Sequence, residues 1–275
     1  MSLRLIPDRA VRRLAAMVLL AFSCAAPLLS AAAAEAPWRP DPGQRVDLQL
    51  LPPFDLARRS DVLVLDLFQT PADRVHQLEA RGVAAVCWMS AGSWEGWRPD
   101  AYAFPQTALG RNRPGRPGER WLDPSHPAVL PLLEHRLDLC RERGFKGVLL
   151  AGLDGYARPG AGFPLTAEQQ LTFAKRLADA ARTRGLAAGI TSDPEQAATF
   201  APAFDFLVAA DCIALASCVE AARPYRAAGK PVWLVAYTNI ASRMAALCAA
   251  ATRAEIPLLF KTRTLTGRLH RRCPA

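Results

Sequence analysis

Short apolar segments alternate with amphipathic segments along most of this 275-residue chain, and this alternation constrains the fold more than any other feature. Eight apolar segments have the length and composition of β-strands: Val46–Leu50, Asp61–Leu67, Val83–Met89, Gly147–Ala151, Leu186–Thr191, Phe204–Ala209, Pro231–Tyr237 and Pro257–Lys261. Six segments between them have helical periodicity: Pro71–Arg81, Pro127–Arg143, Thr166–Arg184, Glu195–Phe200, Val219–Ala228 and Ile240–Arg253. Strands and helices that alternate in this order indicate an α/β fold with a parallel sheet.

Glycine stands between several helical segments and the following strand, where helices typically end: Gly82, Gly144, Gly185 and Gly229. At this length the pattern predicts a single (β/α)8 TIM-type barrel from about Val46 to Lys261. An open doubly wound parallel sheet is the alternative, although no glycine-rich phosphate-binding turn follows the first strand. Periodicity alone does not choose between them. Pro99–Asp123 is the only structureless insert that we predict.

Residues 1–34 have the pattern of a cleaved secretory signal peptide, which leaves 35–275 as one domain. Four arginines precede an apolar run, and Ala32-Ala33-Ala34 supplies a small-residue cleavage site. The run is interrupted and short for a membrane span, so a permanent anchor is less favoured. Lipid attachment at Cys24 is a weaker alternative. We therefore expect a secreted or periplasmic protein.

The formal net charge is +9, and +6 is left without the four arginines and one aspartate of the leader. The excess is spread thinly, and its one cluster, Arg111 to Arg120, is rich in proline and glycine and predicts a solvated loop. No basic helix or aromatic-interleaved basic strand accompanies it, so we expect no nucleic-acid partner. Attraction to an anionic surface or glycan stays open.

Six cysteines follow the leader, and an exported protein can oxidise them. Cys248 and Cys273 are placed to join the last helix to the C-terminal tail. We expect Cys87, in a strand, and Cys140, on a helix, to be buried free thiols. No C-x-x-C motif or paired histidines suggest zinc. The four histidines fall on helices or loops, where a surface position is the simplest expectation: His76, His126, His135 and His270.

The run from Cys87 to Pro105, C-W-M-S-A-G-S-W-E-G-W-R-P-D-A-Y-A-F-P, carries the clearest chemistry. It follows a predicted strand, so its Ser90-Ala91-Gly92-Ser93 turn lies at a strand end. Trp88, Trp94 and Trp97 lie within ten residues of each other. Aromatic faces beside polar groups on a strand-end loop are suited to binding a sugar ring.

This run resembles glycoside hydrolase family 114, the endo-α-1,4-polygalactosaminidase-like proteins, whose pattern is roughly S-A-G-S-x-E-x-W-R-P-D-A-x-x-F-P. The resemblance extends from about Trp38 to Cys273 and favours the barrel over the open sheet. It implies hydrolysis of O-glycosyl bonds without a cofactor, and a polysaccharide or oligosaccharide partner. Cys212 and Cys218 match paired cysteines of the family, which implies a disulfide between them.

Glycoside hydrolysis normally requires two carboxyl groups that flank the bond. The resemblance places aspartates of the family at Leu149 and Ala151, and a glutamate at Ala210. Ala236 stands at a further acidic position. The acids that remain near these positions, Asp154 and Asp211, are the catalytic candidates. We expect the four replaced positions to cluster at the mouth of the barrel, in a pocket that is apolar where a glycosidase would be acidic.

Positions at or near the strand ends are the candidates for substrate binding: Asp66, Ser90, Gly92, Trp94, Trp97, Tyr156, Asp193, Tyr237 and Lys261. Asp66 lies among apolar residues, where an unpaired charge is costly. We expect it to face the mouth, where it either holds a ligand hydroxyl or pairs with Lys261. Gly92-Ser93 lacks the G-x-S-x-G turn of a serine hydrolase.

Two classes of function stay open. The protein is either an exported hydrolase of a galactosamine-type polysaccharide with a rearranged acid pair, or a catalytically inactive relative that binds a glycan or a protein. The missing acids favour the inactive relative, and the resemblance favours a hydrolase. An exported structural domain without a ligand is the least favoured. We expect a monomer.

Overall fold

Strands and helices alternate throughout the computed structural model, which describes residues 37–158, 160–191, 194–210, 215–238 and 240–273. The strands are β1 (Val46–Gln49), β2 (Val62–Asp66), β3 (Ala84–Ser90), β4 (Ser93–Glu95), β5 (Leu109–Asn112), β6 (Glu119–Leu122), β7 (Gly147–Ala151), β8 (Ala187–Thr191), β9 (Phe206–Ala210), β10 (Val232–Tyr237), β11 (Leu258–Lys261) and β12 (Arg271–Arg272). The helices are α1 (Ala72–Glu79), α2 (Val129–Glu142), α3 (Ala167–Thr183), α4 (Ala197–Phe200), α5 (Leu215–Ala227) and α6 (Ala241–Arg253). All eight predicted strands and six predicted helices are present. The predicted leader, Cys24 included, lies outside the described residues.

Eight strands pair in parallel, each with the next parallel strand along the chain, in the order β1-β2-β3-β7-β8-β9-β10-β11. The sheet curls until β1 and β11 approach each other. The predicted TIM-type barrel architecture is confirmed. The doubly wound alternative is excluded, because such a sheet reverses its strand order and this one does not. All parallel strands therefore present their carboxyl ends at the same end of the barrel.

The seam between β1 and β11 differs from the closed ladder of eight strands that we expected. Among the described residues no backbone ladder joins these two strands, and β12 instead pairs antiparallel with β11. The side chain of Arg272 in β12 donates to the carbonyl oxygen of Val46 in β1 (2.7 Å). The amide of Leu50 donates to the carbonyl oxygen of Leu265 (2.7 Å). Residues that follow β11 therefore close the seam.

Alternate side chains of each strand face opposite sides of the sheet, and the two sides form separate apolar clusters. The inner cluster fills the barrel: Val46, Leu48, Val62, Val64, Val86, Leu149, Ala187, Phe206, Val208, Trp233, Val235 and Leu259. The outer cluster lies between the sheet and the helices and contains the intervening strand residues, such as Leu63, Leu65 and Leu150. Strand parity therefore decides which side chains reach the interior of the barrel.

Local signals at the helix ends behave as the sequence indicates. Helix α3 begins with a capping box, in which the Thr166 hydroxyl accepts from the Gln169 amide and the Gln169 side chain accepts from the Thr166 amide. The four glycines predicted at helix ends all have positive φ, a region that glycine enters without steric cost: Gly82, Gly144, Gly185 and Gly229.

The stretch that we predicted to be structureless, Pro99–Asp123, contributes instead to a small antiparallel sheet in the order β4-β6-β5. The cluster Arg111 to Arg120 forms part of the β5–β6 hairpin. Arg120 anchors this hairpin by donating to the carbonyl oxygens of Gly110 (2.8 Å) and Leu109 (3.0 Å). The predicted solvated loop is present at residues 114–118, which are exposed, whereas Arg113 binds a carboxylate and Arg120 binds backbone acceptors.

Two disulfides are described, and the first contradicts the sequence analysis. Cys87 in β3 is bonded to Cys140 in α2, with Cα atoms 5.9 Å apart. The prediction of two free thiols is wrong because α2 packs on the outer face of the sheet, where Cys140 and Cys87 belong to the same buried cluster. The second disulfide joins Cys248 to Cys273, the predicted pair. Cys218 is also disulfide-bonded, whereas its predicted partner, Cys212, lies outside the described residues.

A buried polar cluster lies at the seam. Lys261 and Asp47 are both inaccessible to solvent, and the Lys261 ammonium donates to Asp47 Oδ1 (2.9 Å). His270 Nδ1 lies 3.1 Å from the same oxygen, and its side chain is only 14% exposed. The surface position that we expected for His270 is therefore wrong. Within the ranges given above, no helix is both long enough and apolar enough to span a membrane.

Candidate functional site

A cleft of about 680 Å³ opens at the carboxyl ends of the parallel strands. One residue at or near the end of each of six strands lines it: Asp66, Ser90, Ala151, Thr191, Ala210 and Tyr237. The small antiparallel sheet and the loop after β11 supply further walls. A second cavity, of about 340 Å³, lies beside Trp38 at the opposite end of the barrel. We assign the candidate site to the larger cleft, because active sites of such barrels lie at the carboxyl ends of the strands.

The positions where acids were expected lie at different depths. Ala151 and Ala210 line the cleft, whereas Leu149 lies deeper, in the inner apolar cluster. Ala236 packs into the outer cluster against the helices. Our prediction that it lines the mouth is wrong, because its neighbour Tyr237 takes the inward position and successive side chains point to opposite faces. Two of the strand ends at the floor of the cleft therefore carry alanine.

Asp154, one of the two catalytic candidates, lines the cleft after β7. Its carboxylate accepts from two nitrogens of Arg158, at 2.6 and 2.8 Å. Its side chain is 22% exposed, and that of Arg158 is 60% exposed. The other catalytic candidate, Asp211, and the substrate-binding candidate Asp193 lie outside the described residues. Asp154 is therefore the one catalytic candidate within the described residues, and its carboxylate is engaged in an ion pair with Arg158.

Asp66 faces the cleft as predicted, but its partner is not the predicted one. Arg98 binds it with two parallel hydrogen bonds, of 2.6 and 2.7 Å. The same guanidinium donates to Glu95 at 2.7 Å. The predicted Asp66–Lys261 pair is wrong because Arg98, which follows β4, binds Asp66 in β2, whereas Lys261 pairs with Asp47 at the seam.

Burial is the largest influence on the pKa of Glu95. It raises the pKa of this carboxyl above its ordinary value, and the hydrogen bonds from Arg98 act in the opposite direction. The neighbouring charges of Asp66 and Glu119 raise the pKa further. Glu95 and Glu119 are direct cross-strand partners in β4 and β6. Three carboxyl groups are thus concentrated on one wall of the cleft.

A second arginine, Arg113, neutralises Glu119. Its Nη1 donates to Glu119 Oε2 (2.9 Å) and to the hydroxyl of Ser93 (3.0 Å), and its guanidinium lies 4.3 Å from the centre of the Trp121 ring. The Ser93 hydroxyl is in turn hydrogen-bonded to that of Ser90 (2.6 Å). Ser90, a predicted ligand contact, is therefore both at the cleft and held by this network.

The predicted aromatic contacts divide into two groups. Trp97 is 53% exposed and lines the cleft, and Tyr237 lines it with the Arg263 guanidinium 5.3 Å from its ring centre. Trp94 does not line the cleft, because its indole N–H donates to the Ala101 carbonyl oxygen (2.9 Å) and its ring packs into the outer cluster. Tyr156 is also outside the lining, and its hydroxyl hydrogen-bonds to Glu195 (3.2 Å).

We expected Gly92 and Lys261 to contact the ligand, but both have structural roles instead. A Cβ atom on Gly92 would lie 1.8 Å from the carbonyl oxygen of Gly152, so only glycine permits this contact between the β3 and β7 loops. Lys261 is fully buried and does not line the cleft. Burial lowers the pKa of Lys261, and the adjacent carboxylate of Asp47 opposes that effect. Both corrections follow from contacts between segments distant in the chain.

Sequence reasoning missed four residues that build one wall of the cleft: Glu95, Arg98, Arg113 and Glu119. Two of them could have been identified from the sequence, because Glu95 and Arg98 are three residues apart and both belong to the motif that carries the family resemblance. Every carboxylate among the described lining residues accepts a hydrogen bond from an arginine. No group of three or more His, Cys, Asp or Glu within those residues could hold a metal ion.

Comparisons with known proteins agree with this architecture. The crystal structure of Ega3 from Aspergillus fumigatus in complex with galactosamine is similar to this chain, with a TM-score of 0.80 and 27% identity, covering 86% of this chain and 98% of Ega3. The glycoside hydrolase domain of PelA from Pseudomonas aeruginosa is similar in fold, with a TM-score of 0.64 and 18% identity over 83% of this chain and 98% of that domain. No curated protein sequence matches the chain. The sequence model of glycoside-hydrolase family GH114 matches residues 28–274, and the chain belongs to that family.

Proposed function

We propose that this protein binds a galactosamine-type polysaccharide in the strand-end cleft and hydrolyses it slowly or not at all. The observation that carries the proposal is the presence of Ala151 and Ala210 at inward-facing strand ends of the cleft. Glycosidases normally need two carboxyl groups at the bond, one as proton donor and one as nucleophile or base. A methyl side chain can serve in neither role.

The substrate class rests on similarity and on the retained binding surface. Ega3, which is 27% identical, was crystallised with galactosamine. The cleft keeps Trp97 and Tyr237, whose flat rings can stack on a sugar. Its volume of about 680 Å³ lies within the range of about 300–1,000 Å³ that small-molecule sites typically have. A few sugar units of a longer chain would fill it.

The second candidate is a hydrolase that uses Asp154 together with Asp66, Asp193 or Asp211. The side-chain exposure of Asp154, which is the most accessible carboxylate among the described lining residues, favours it. Its ion pair with Arg158 disfavours it, because one carboxylate oxygen, Oδ2, already accepts two hydrogen bonds from that guanidinium. Asp66 is bound bidentately by Arg98, which leaves its oxygens poorly placed for attack on a sugar.

An extracytoplasmic location is part of the proposal. The leader pattern of residues 1–34 supports it, and so do the two disulfides Cys87–Cys140 and Cys248–Cys273, because such bonds persist in oxidising compartments. The Cys87–Cys140 disulfide joins the sheet to the helix that covers it, and both cysteines are part of the folded core.

The test measures binding and hydrolysis of α-1,4-galactosamine oligomers by calorimetry and by release of reducing ends. The unmodified protein should bind and show little turnover. The double variant Ala151→Asp/Ala210→Glu should raise turnover, since positioned proton transfer alone contributes about 10²–10⁴-fold. The uncharged variant Ala151→Asn/Ala210→Gln is the matched control for side-chain volume and should not.

Asp154→Asn should change turnover little. Robust hydrolysis by the unmodified protein that Asp154→Asn or Asp211→Asn abolishes would overturn the proposal in favour of the second candidate. Absence of binding to any galactosamine oligomer, charged or acylated, would overturn it altogether.

A further inference from the structure

We propose that acid loosens the seam between β1 and β11, because a proton on His270 disrupts the contact by which β12 holds β1. The proposal concerns the seam and does not depend on whether the cleft binds a glycan. His270 directly precedes β12, and its side chain is only 14% exposed. Its two ring nitrogens therefore depend on partners within the protein, and those partners decide whether the ring can take up a proton.

One ring nitrogen of His270 is a hydrogen-bond acceptor. The Nε of Arg272, which always carries a hydrogen, donates to His270 Nε2 at 3.1 Å. An accepting nitrogen carries no proton, so the neutral ring holds its hydrogen on Nδ1. That atom is buried and lies 3.1 Å from Asp47 Oδ1, off the line of a good hydrogen bond. A second proton on the ring would therefore place an N–H group against the N–H group of Arg272.

The same arginine closes the seam. Its Nη2 donates to the carbonyl oxygen of Val46 in β1 at 2.7 Å, and in the described part of the chain no backbone ladder joins β1 to β11. His270 holds this guanidinium in place by accepting from its Nε. A charged His270 would repel the guanidinium instead, so the contact between β12 and β1 weakens when His270 takes up a proton.

The neighbouring charges oppose a proton on His270. Asp47 lies beside the ring, but its carboxylate already accepts from the amide of Leu48 (2.8 Å), the ammonium of Lys261 (2.9 Å) and the side chain of Gln49 (2.9 Å). Further charged groups surround Lys261 and Arg272 or flank His270 on its own segment: Arg45, Asp55, Arg58, Asp61, Arg268 and Arg271. The positive groups of this set outnumber the carboxylates, and burial also disfavours the charged ring.

The segment that closes the seam also forms part of the cleft wall. Thr264 and Leu265, between β11 and β12, both line the cleft. The carbonyl oxygen of Leu265 accepts from the amide of Leu50 (2.7 Å), another lining residue. A loosened seam therefore reaches the cleft, and acid should leave this wall less firmly held than it is at neutral pH.

Proton NMR of the histidine rings measures the protonation directly. We expect His270 to stay neutral at pH 6, where an ordinary histidine, with a pKa of about 6.5, is mostly charged. It should become charged at a lower pH than His135, an exposed histidine of α2. The spectrum of His270→Gln identifies the signal. If His270 becomes charged before His135 as the pH is lowered, its ion pair with Asp47 dominates and the proposal is wrong.

Hydrogen exchange of the Leu50 amide tests whether the seam opens. The amides of β8, in the middle of the strand order, are the internal reference. An open seam frees His270 to take up a proton, so the open form binds more protons and acid favours it. From pH 7.5 to pH 5.5 we expect the protection of Leu50 to fall about 10-fold relative to β8, because one unit of difference in pKa corresponds to a tenfold change in the equilibrium.

His270→Gln should abolish this pH dependence, because a glutamine side chain can accept from Arg272 but cannot become charged. His135→Gln is the matched control and should keep the dependence of the unmodified protein. The same fall in His270→Gln would overturn the proposal. Should that variant fail to fold, the unmodified protein alone decides, since constant relative protection at Leu50 would also overturn it.

Discussion

Replacing Arg98 with methionine should destabilise the protein strongly at neutral pH and only weakly near pH 4.5. The guanidinium joins Asp66 and Glu95, whose side chains are 4% and 5% exposed. Methionine keeps much of the apolar stem that packs beside Phe68 and Trp88, where the guanidinium now lies 5.3 and 5.8 Å from the ring centres. The substitution therefore removes charge and hydrogen bonds with little loss of volume.

The two carboxylates respond differently to this loss. The Asp66 carboxylate retains hydrogen bonds from the backbone amides of Phe68 (2.9 Å) and Gln69 (3.0 Å). Glu95 retains no hydrogen-bond partner in the described part of the chain and should take up a proton instead. Holding that proton at pH 7 costs about 1.36 kcal/mol per pH unit above about 4.3, or about 3.7 kcal/mol. Breaking a buried ion pair typically costs about 3–5 kcal/mol.

The sign of the pH dependence follows from the direction of the Glu95 shift. Burial already raises the pKa of Glu95 above its ordinary value, and the loss of Arg98 removes the largest opposing influence. A carboxyl with a higher pKa in the folded state binds protons more tightly when folded. Stability therefore falls as pH rises from the unfolded pKa, about 4.3, through the raised folded pKa. The variant should approach the unmodified protein at pH 4.5.

Urea denaturation followed by circular dichroism at pH 4.5 and pH 7 measures both quantities. Arg98→Met/Glu95→Gln should recover much of the loss at pH 7, because it removes the carboxyl that must be protonated. Arg74→Met, at a half-exposed arginine of α1, is the control and should cost at most about 0.5 kcal/mol. A loss below about 1 kcal/mol at pH 7, or an equal loss at both pH values, would refute the reasoning.

Three further predictions follow from the fold and the cleft. Cys87→Ala/Cys140→Ala should lower the free energy of unfolding by about 4 kcal/mol, because the disulfide closes a loop of 53 residues, and a loss below about 1 kcal/mol in urea would contradict this. Gly92→Ala should cost about 3 kcal/mol or more by the same measurement, because its Cβ would lie 1.8 Å from a backbone oxygen at the end of β7. Trp97→Ala should weaken glycan binding by calorimetry with little change in stability, whereas Trp94→Ala should do the reverse, because only the first ring lines the cleft.

The order of strands and helices could be predicted because it depends on local properties. Apolar runs of strand length, helical periodicity and helix-ending glycines are all readable within a few residues, and all eight parallel strands were found. The small sheet of β4, β5 and β6 was missed because its strands are only three or four residues long and lie among proline and glycine. Short strands of this kind are stabilised by pairing that the local sequence does not show.

The partners of buried groups could not be predicted, because they lie far apart in the chain. Asp66 and Arg98 are 32 residues apart, and Lys261 and Asp47 are 214 apart. The Cys87–Cys140 bond likewise depends on where α2 packs. Ala236 is a different case, since strand parity alone excludes that both it and Tyr237 face the cleft. That error was avoidable from the sequence.

The way in which the seam is closed also bears on how the barrel is assembled during synthesis. Seven parallel pairings each join one parallel strand to the next parallel strand along the chain, so each can form soon after its second strand leaves the ribosome. The seam depends on Arg272, whose contact with Val46 spans 226 residues. Until that segment arrives, β1 and β11 are two unprotected edges, which are templates for pairing with another chain. The sheet therefore keeps two open edges until the last contact across the seam has formed.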